Sequence, residues 1–485
     1  MLIRSNTREQ LLSMGKAICS LNLIIGLLML LTFLYDLITG NTKTQAFTIT
    51  SVILIIIGIL SLRIRAKPLG LMSSLVTASL AWIMFSTVSA IPLTITLNIS
   101  FLDALFESVS GFTGTGLTVL TNLTSIPQTI LLWRSVMQWS GELGIVVFAM
   151  VLFPFFYSIG AGIYGIERPM KIETSFYKTA WRIFILYSII TIVGFIFFVY
   201  TGMNAFEAIN HVMTTVATGG MSTYDRGYEV IFERAPQTIV PVLIFMVIGS
   251  INFILLDRAF RGDYKAVIKN DEFKIYVSLL LFSSILASLC YMLLEAKSPV
   301  ESVLYGFFNT ISGVTTTGFN LGSMSNLHNI TKFILIIGMF IGGMTFATTG
   351  GIKAYRFLIL VKKMKMSSLS LITTGRFEKY VKINNSIISE SEVALTLLFV
   401  IIHATAIAIG ATIISSYGYD YIDSLFEATS AASCVGLSTG LTGPYSPIGI
   451  KITLIVLMLL GKLEYVQLFL IIGFIGGRKI LKTIR

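Results

Sequence analysis

The sequence predicts an all-α membrane protein with ten transmembrane helices, in which two N-terminal helices precede four pseudo-fourfold repeats of helix, re-entrant loop and helix. Composition is the first observation, because 55% of the 485 residues are hydrophobic and only 12% are charged, against about 25% in a soluble domain. The second is a series of apolar runs of about 20 residues, the length that spans a bilayer. The third is a Gly- and Thr-rich segment that recurs four times between those runs. A water-soluble fold is therefore excluded.

The apolar runs set the predicted spans. The first covers about 17–38; it is longer than a signal-peptide core and is not followed by a small-residue cleavage site. We therefore interpret it as a retained helix. The other runs lie near 46–62, 69–95, 128–156, 181–201, 237–256, 274–294, 331–347, 393–416 and 450–475.

Basic residues sort to alternate loops. Most of the 35 lysines and arginines precede the first run, follow the second, fourth, sixth and eighth runs, or lie in the C-terminal tail. Because loops rich in basic residues stay in the cytoplasm, both termini are predicted to be cytoplasmic. The same pattern accounts for the net charge of +11 without nucleic-acid binding.

Cysteines and histidines predict no metal or disulfide chemistry. The cysteines lie in apolar or small-residue settings: Cys19, Cys290 and Cys434. The histidines are scattered without ligand spacing, which favours roles in packing or in exposed loops: His211, His328 and His403. No GxSxG, HExxH, CxxC or Walker-type run appears, so an enzyme is not expected.

Four segments on the predicted outer side resemble one another, each with an amphipathic stretch before a Gly- and Thr-rich loop. They cover 105–118, 209–221, 307–320 and 425–438. Alignment brings one glycine of each to the same position: Gly116, Gly219, Gly318 and Gly436. A polar residue stands nine positions before each glycine: Glu107, Asn210, Asn309 and Glu427.

These loops predict a path for a cation. Non-helical backbone is tolerated at membrane depth only where protein buries it or it lines a water-filled path, so four loops entering from one side imply one central path. Glycine can turn carbonyl oxygens toward that axis, where they replace the hydration shell of a cation. The partly negative C-terminal ends of the short helices favour the same sign of charge. The alternative is that the Gly/Thr clusters only let helices pack closely.

Acidic residues of the short helices have two interpretations. Glu107 and Glu427 are expected to tie the loops through hydrogen bonds, with direct ion contact as the alternative. Asp103 and Asp423 are expected near helix starts, where a carboxylate complements the helix dipole.

Small residues interrupt the eighth apolar run between Gly342 and Gly351. This break predicts an intramembrane loop, with a glycine-kinked packed helix as the alternative.

Lys462 falls near mid-membrane, where a charge costs about 2.5–3.5 kcal/mol and is usually functional or paired. It is expected either to face the ion path or to form an ion pair. By register its partner is Glu142 of repeat one, and Glu464 is a weaker candidate.

The loop sequences TGTGLT, ATGGMST, TTTGFN and CVGLST resemble the filter loops of the Trk, Ktr and HKT superfamily of potassium transporters. Two extra N-terminal helices make the chain most similar to the TrkH-type membrane subunits of bacterial Trk systems. The resemblance covers nearly the whole chain. It implies potassium uptake across the bacterial cytoplasmic (inner) membrane through one filter-lined pore, with K⁺ as the transported ion and no covalent cofactor.

The same resemblance implies roles for particular residues. The selectivity filter, and hence the potassium contacts, would be formed by Thr115, Gly116, Thr218, Gly219, Thr317, Gly318, Val435 and Gly436. Gating would involve Gly342, Gly343, Thr348, Thr349, Gly350, Gly351, Lys462 and Glu142. A sodium-preferring HKT subgroup has serine where this chain has Gly116, which favours potassium. The family commonly has arginine where this chain has Lys462.

The resemblance also implies partners. These are a second copy in a homodimer with one pore per protomer, and a cytoplasmic TrkA-like nucleotide-binding subunit that docks on the basic segment 353–382. Attraction of that segment to anionic membrane lipids is a further interpretation.

Channel-like conduction, sodium symport and proton symport stay open. The predicted domains are 1–67 (two N-terminal helices), 68–170 (repeat one), 171–265 (repeat two), 266–382 (repeat three with gating loop 342–352) and 383–485 (repeat four).

Overall fold

The computed structural model describes residues 7–40, 44–66, 69, 71–144, 176–372, 380–384 and 386–465, and this part of the chain is mainly helical. The predicted all-α class is confirmed, with a small antiparallel hairpin of β1 (Val381–Ile383) and β2 (Ser386–Ile388) beside the helices. The domain boundaries stay predictions, and those after 67 and after 170 lie outside the described residues.

The helices of the described residues are numbered in chain order. They are α1 (Thr7–Thr39), α2 (Gln45–Leu62), α3 (Leu71–Leu97), α4 (Phe101–Thr113), α5 (Gln128–Glu142), α6 (Phe176–Tyr200), α7 (Ala205–Val216), α8 (Glu229–Arg234), α9 (Ile239–Gly249), α10 (Phe253–Phe260), α11 (Tyr264–Lys269), α12 (Asp271–Leu293), α13 (Pro299–Val314), α14 (Asn329–Ile341), α15 (Ala354–Ile372), α16 (Glu390–Ser415), α17 (Tyr421–Ala432) and α18 (Ile448–Lys462).

Six of the described helices are long and apolar enough to cross a membrane. They are α1, α2, α3, α6, α12 and α16, and they agree with six of the predicted spans. The other predicted spans correspond to the shorter helices α5, α9, α14 and α18. The ends of two of these runs, 145–156 and 466–475, lie outside the described residues.

One predicted span, 237–256, is wrong as a single helix, and another, 331–347, ends at the predicted break. The run 237–256 bends by 109° between α9 and α10, because the Asn252 side chain accepts the N–H groups of Ile254 and Leu255 and starts a new helix. The run 331–347 ends at Ile341, because Gly342 has φ +73° and turns the chain out of the helix. Both breaks leave irregular backbone between helices.

Four short helices, α4, α7, α13 and α17, share one way of starting. In each, the N-cap side chain accepts a backbone N–H of the first turn: Ser100, Asn204, Ser298 and Asp420. Each first turn also has an acidic residue that complements the helix dipole: Asp103, Glu207, Glu301 and Asp423. The expected positions of Asp103 and Asp423 are confirmed.

The second helix of each repeat packs against the short helix of the next repeat. The contacts join α5 to α7, α9 to α13, α14 to α17 and α18 to α4. Because the last contact returns to repeat one, the repeats close into a ring, with the short helices inside it.

Candidate functional site

The loops that follow the four short helices meet one another in the same order. One glycine of each loop lies so close to the next repeat that an added Cβ would overlap a backbone carbonyl oxygen. These contacts join Gly116 to the oxygen of Gly219, Gly220 to that of Thr317, Gly318 to that of Val435 and Gly436 to that of Thr115. All four glycines have φ between +70° and +97°, a backbone conformation that other residues rarely adopt. We call Gly116, Gly220, Gly318 and Gly436 the ring glycines.

The register of repeat two is one residue later than the sequence alignment suggested. The residue before each ring glycine donates its N–H to the carbonyl five positions earlier, at 2.8–2.9 Å: Thr115 to Ser110, Gly219 to Thr214, Thr317 to Ser312 and Val435 to Ser430. The residue before that has positive φ in each repeat: Gly114, Thr218, Thr316 and Cys434. Gly220 is therefore the equivalent of Gly116, and Gly219 is the equivalent of Thr115.

The polar residue nine positions before the ring glycine holds the loop that follows. Glu107, fully buried, accepts the Val119 N–H at 2.7 Å and the Thr118 hydroxyl at 2.5 Å. Glu427, also fully buried, accepts the Thr439 N–H at 2.9 Å. The expectation that the two glutamates tie the loops by hydrogen bonds is confirmed.

His211 takes this position in repeat two. Its Nε2 lies 2.9 Å from the hydroxyl of Ser222, which is eleven residues later, as Thr118 is after Glu107. Asn210, which the alignment had placed here, instead accepts the hydroxyl proton of Ser135 at 2.7 Å. The sequence analysis missed His211, because the one-residue shift hid its equivalence to the glutamates.

Asn309 has the same function in repeat three, with its Oδ1 2.9 Å from the N–H of Leu321.

The other histidines fit the packing and loop roles expected for them. His403 stacks on Phe399 in the interior, and His328 caps α14 at the surface. In the described part of the chain, no group of His, Cys, Asp or Glu has the arrangement of a metal site.

The loop 342–352 of repeat three meets residues two or three positions before the ring glycines. The Thr218 hydroxyl lies 3.1 Å from the Thr348 hydroxyl, and the Gly350 N–H donates to the Thr316 hydroxyl at 3.0 Å. Gly350 also lies against the carbonyl oxygen of Ser433, which an added Cβ would overlap. The loop is therefore in contact with the ring loops of repeats two, three and four.

The other end of this loop is bonded to the helix break of repeat two. Met344 donates its N–H to the Ser250 carbonyl at 3.1 Å, and Thr348 donates its hydroxyl to the Gly249 carbonyl at 2.9 Å. Glu272 of α12, 96% buried, accepts the N–H of Thr345 at 2.6 Å. Of the remaining expected gating residues, Gly343 packs on the Thr349 side chain, and Gly351 lies against Ile341.

In repeat one, a carboxylate takes the place of this loop. Glu142 Oε1 lies against Gly114, where an added Cβ would overlap it, and 2.6 Å from Lys462 Nζ. The predicted Lys462–Glu142 pair is confirmed, and Glu464 instead pairs with Arg356 at 2.6 Å. The Lys462 side chain is only 15% exposed. Of the expected gating residues, Glu142, Thr348 and Gly350 thus contact the ring loops two or three residues before the ring glycines.

The sequence analysis also missed two polar residues of α5. Arg134 and Gln138 are four residues apart and therefore share one helix face, and both are at least 98% buried. Arg134 donates to Glu107 at 3.1 Å and to the Ser222 carbonyl at 3.0 Å. Their spacing on an otherwise mostly apolar helix was the available signal.

Chemically, the ring presents backbone carbonyl oxygens at the C-terminal ends of four helices. Oxygen ligands of this kind suit dehydrated cations, and the helix ends add partial negative charge. The positive charge of Lys462 lies beside Glu142, which contacts Gly114, two residues before the ring glycine of repeat one.

Comparison with known proteins agrees with this geometry. The profile of the TrkH family, described as a cation transport protein, matches residues 43–300 and 289–473. The chain is 28% identical over 451 residues to an uncharacterized cation transporter of Methanocaldococcus jannaschii, covering 92% of each protein. It is 27% identical over 474 residues to the Trk system potassium uptake protein TrkH of Escherichia coli, covering 92% of this chain and 97% of that one.

A solved structure has the same fold over almost the whole chain. The crystal structure of the potassium transporter TrkH from Vibrio parahaemolyticus matches with a TM-score of 0.83 and 25% identity, over 96% of this chain and 98% of that one. The resemblance of the loop sequences to the Trk, Ktr and HKT superfamily is therefore confirmed. Since the family profile spans most of its length, the chain belongs to the TrkH family of cation transport proteins.

Proposed function

We propose that this chain takes up potassium across the cytoplasmic membrane of a bacterium through one pore at the centre of its four repeats. The observation that carries the proposal is the closed ring in which each ring glycine lies against a carbonyl oxygen of the next repeat. Relatives named as potassium uptake proteins or potassium transporters support potassium as the ion. Because the chain belongs to a family of transport proteins, it is not an enzyme.

The filter would consist of the residues named from the sequence, with Gly220 added in repeat two. Carbonyl oxygens just before the ring glycines would replace the water around potassium. The ten-span layout, with both termini in the cytoplasm, belongs to the same proposal. The loop 342–352 and the Lys462–Glu142 pair would act together as the gate, because Thr348, Gly350 and Glu142 contact the ring loops two or three residues before the ring glycines.

Two partners complete the proposal. A cytoplasmic TrkA-like nucleotide-binding subunit would dock on the basic segment 353–382 and move the loop, and the membrane chain would form a homodimer. Support comes from α15, where Lys365 is exposed beside Lys362 and Lys363, which join this helix to carboxylates of repeats three and four. Arg376 and Lys379 of this segment lie outside the described residues.

The test is rubidium and sodium flux into liposomes that contain the purified chain, with and without the nucleotide-binding partner. Gly318→Ser is expected to lower the preference for potassium over sodium by about tenfold, equal to about 1.4 kcal/mol. The reason is that its side chain would overlap the Val435 carbonyl oxygen. Gly418→Ser is the matched control, because Gly418 has φ +94° but no neighbour within 4 Å.

Two outcomes would change the proposal. Equal effects of the two serine variants would show that backbone strain, and not the ring contact, causes the loss. Flux that requires a sodium or proton gradient would replace channel-like uptake by the alternative, cation-coupled symport in the same fold.

A further inference from the structure

Repeat two lacks the side chain that supports the filter loop elsewhere in the ring. The residue before the ring glycine is Thr115, Thr317 or Val435 in the other repeats, and each of these is fully buried. In repeats one and three its hydroxyl bonds at 2.8 Å to that of a threonine two positions earlier, Thr113 or Thr315. In repeat two the equivalent position is occupied by Gly219, which has no side chain to make this contact.

Gln138 of the neighbouring repeat fills that space. An added Cβ on Gly219 would lie 2.5 Å from Gln138 Cδ, so the amide stands where a side chain of Gly219 would be. Gln138 Nε2 donates to the Gly219 carbonyl at 2.6 Å, and its Oε1 accepts the Met221 N–H at 3.0 Å. The two bonds hold the backbone on both sides of Gly220.

The arrangement occurs once in the ring. Gln138 lies three residues before Gly141, which packs on the short helix of its repeat, and the residues three before the corresponding Gly249, Gly342 and Gly461 are apolar: Met246, Met339 and Met458. The carbonyl that Gln138 contacts is one of the four that lie against the ring glycine of the preceding repeat, here Gly116. A fully buried amide with both ends bonded to one loop is well suited to fix the position of that oxygen.

We propose that Gln138 is a positioning residue for ion selectivity, which replaces the missing side chain of Gly219 and holds its carbonyl oxygen in the ring. This inference rests on the proposed function, because it assumes that the ring is the potassium filter. Since the position of the oxygens sets the environment of a dehydrated cation, loss of the amide changes discrimination between potassium and sodium more than it changes total flux.

The first experiment compares Gln138→Met with Gln128→Met, a surface-exposed position on the same helix. Methionine keeps the length of the side chain and removes both hydrogen bonds. The ratio of rubidium to sodium flux in liposomes is expected to fall by about threefold to tenfold in Gln138→Met, the size of the net free energy of one hydrogen bond, because only the bond to the Gly219 carbonyl acts on a ring oxygen. The ratio of Gln128→Met is expected to equal that of the unchanged protein.

The second experiment shortens Gln138 and gives position 219 of the repeat-two loop a side chain. Gly219 does not have positive φ, so its backbone accepts a side chain once Gln138 is shortened. Gln138→Ala combined with Gly219→Val, which copies Val435 of repeat four, is expected to restore the flux ratio. Gly219→Val alone is expected to lower the ratio, because valine would collide with Gln138.

These results separate the inference from the proposed function. Unchanged protein without preference for rubidium over sodium would overturn the proposed function, and the inference with it. A selective unchanged protein together with an unaltered ratio in Gln138→Met would overturn the inference alone. If Gln138→Met does not fold, the double variant decides, and a ratio as low as that of Gly219→Val would overturn the inference.

Discussion

At the scale of single residues, equivalent side chains of the repeats differ in their electrostatic neighbours. Glu107 and Glu427 are both fully buried and both hold the loop after the ring glycine. Glu107 also pairs with the buried guanidinium of Arg134, at 3.1 Å. The hydrogen bonds to Glu427 found in the described residues come from neutral groups: Ser438, Thr439 and Thr442. The same glutamate therefore neutralises a buried cation in one repeat only.

This difference predicts unequal effects of the same substitution. Glu107→Gln is expected to lower the free energy of unfolding by about 3–5 kcal/mol, because it leaves a buried Arg134 without its counter-charge. Glu427→Gln is expected to cost about 1–3 kcal/mol, the range for weakened buried hydrogen bonds. Denaturant unfolding of the two variants in one detergent measures both values, and equal losses would contradict the assignment.

Lys462 gives a second prediction at this scale. Lys462→Ala removes a positive charge from the inner side of the ring and is expected to raise rubidium flux, because a cation then meets a lower electrostatic barrier. Lys451→Ala is the matched control. Lys451 is a buried lysine of the same helix, paired with Asp103 at 2.5 Å, but Asp103 lies at the start of α4, away from the gating residues. A rise in both variants, or in neither, would argue against a barrier at Lys462.

At the scale of elements, the informative features are the helices that break. The bend between α9 and α10 frees the carbonyl groups of Gly249 and Ser250 from helical hydrogen bonds. The loop 342–352 of repeat three donates to both of them. Each break thus satisfies backbone groups of the other, which membrane burial requires. The loop bonds through single hydroxyls and N–H groups to the ring loops, so a small shift can separate it from them.

Gly350→Ala tests this contact between the loop 342–352 and the ring loops. The added methyl would overlap the Ser433 carbonyl oxygen and is expected to push the loop away from the ring, which raises flux without the nucleotide-binding partner. Gly443→Ala serves as the control, since Gly443 has no neighbour within 4 Å. Rubidium efflux from liposomes measures the effect. A Gly350→Ala variant that conducts no faster than the control would exclude the loop as a barrier.

At the scale of the whole molecule, polar contacts between repeats accompany the helix packing around the ring. Two buried lysines lie in equivalent second helices and pair with the acidic residue at the start of the next short helix, Lys332 with Asp423 at 2.6 Å and Lys451 with Asp103 at 2.5 Å. Arg134 contacts the Ser222 carbonyl of repeat two. Glu229 of repeat two accepts the N–H of Gly322 at 3.2 Å. Every junction of the ring therefore has its own polar contact.

Several features of this protein follow from its sequence alone. Apolar runs place the long helices, because hydropathy and length suffice for membrane insertion. The short helices, their acidic first turns and the loop-holding glutamates also follow, since they depend on residues close in the chain. The pairing of Lys462 with Glu142 could be predicted because the repeats preserve the register on both sides.

Only the tertiary structure decided the register of repeat two. Gly219 and Gly220 are both glycines, so local sequence cannot distinguish them, and the choice is made by the Thr317 carbonyl of the neighbouring repeat. The same holds for Gln138 and for the bend after Gly249, whose partners lie in other repeats. His211 bonds to Ser222 of its own repeat, and only the corrected register shows its equivalence to the glutamates. Helix formation and membrane insertion depend on neighbours in sequence, whereas the position of a ring carbonyl oxygen depends on atoms that only the closed ring brings together.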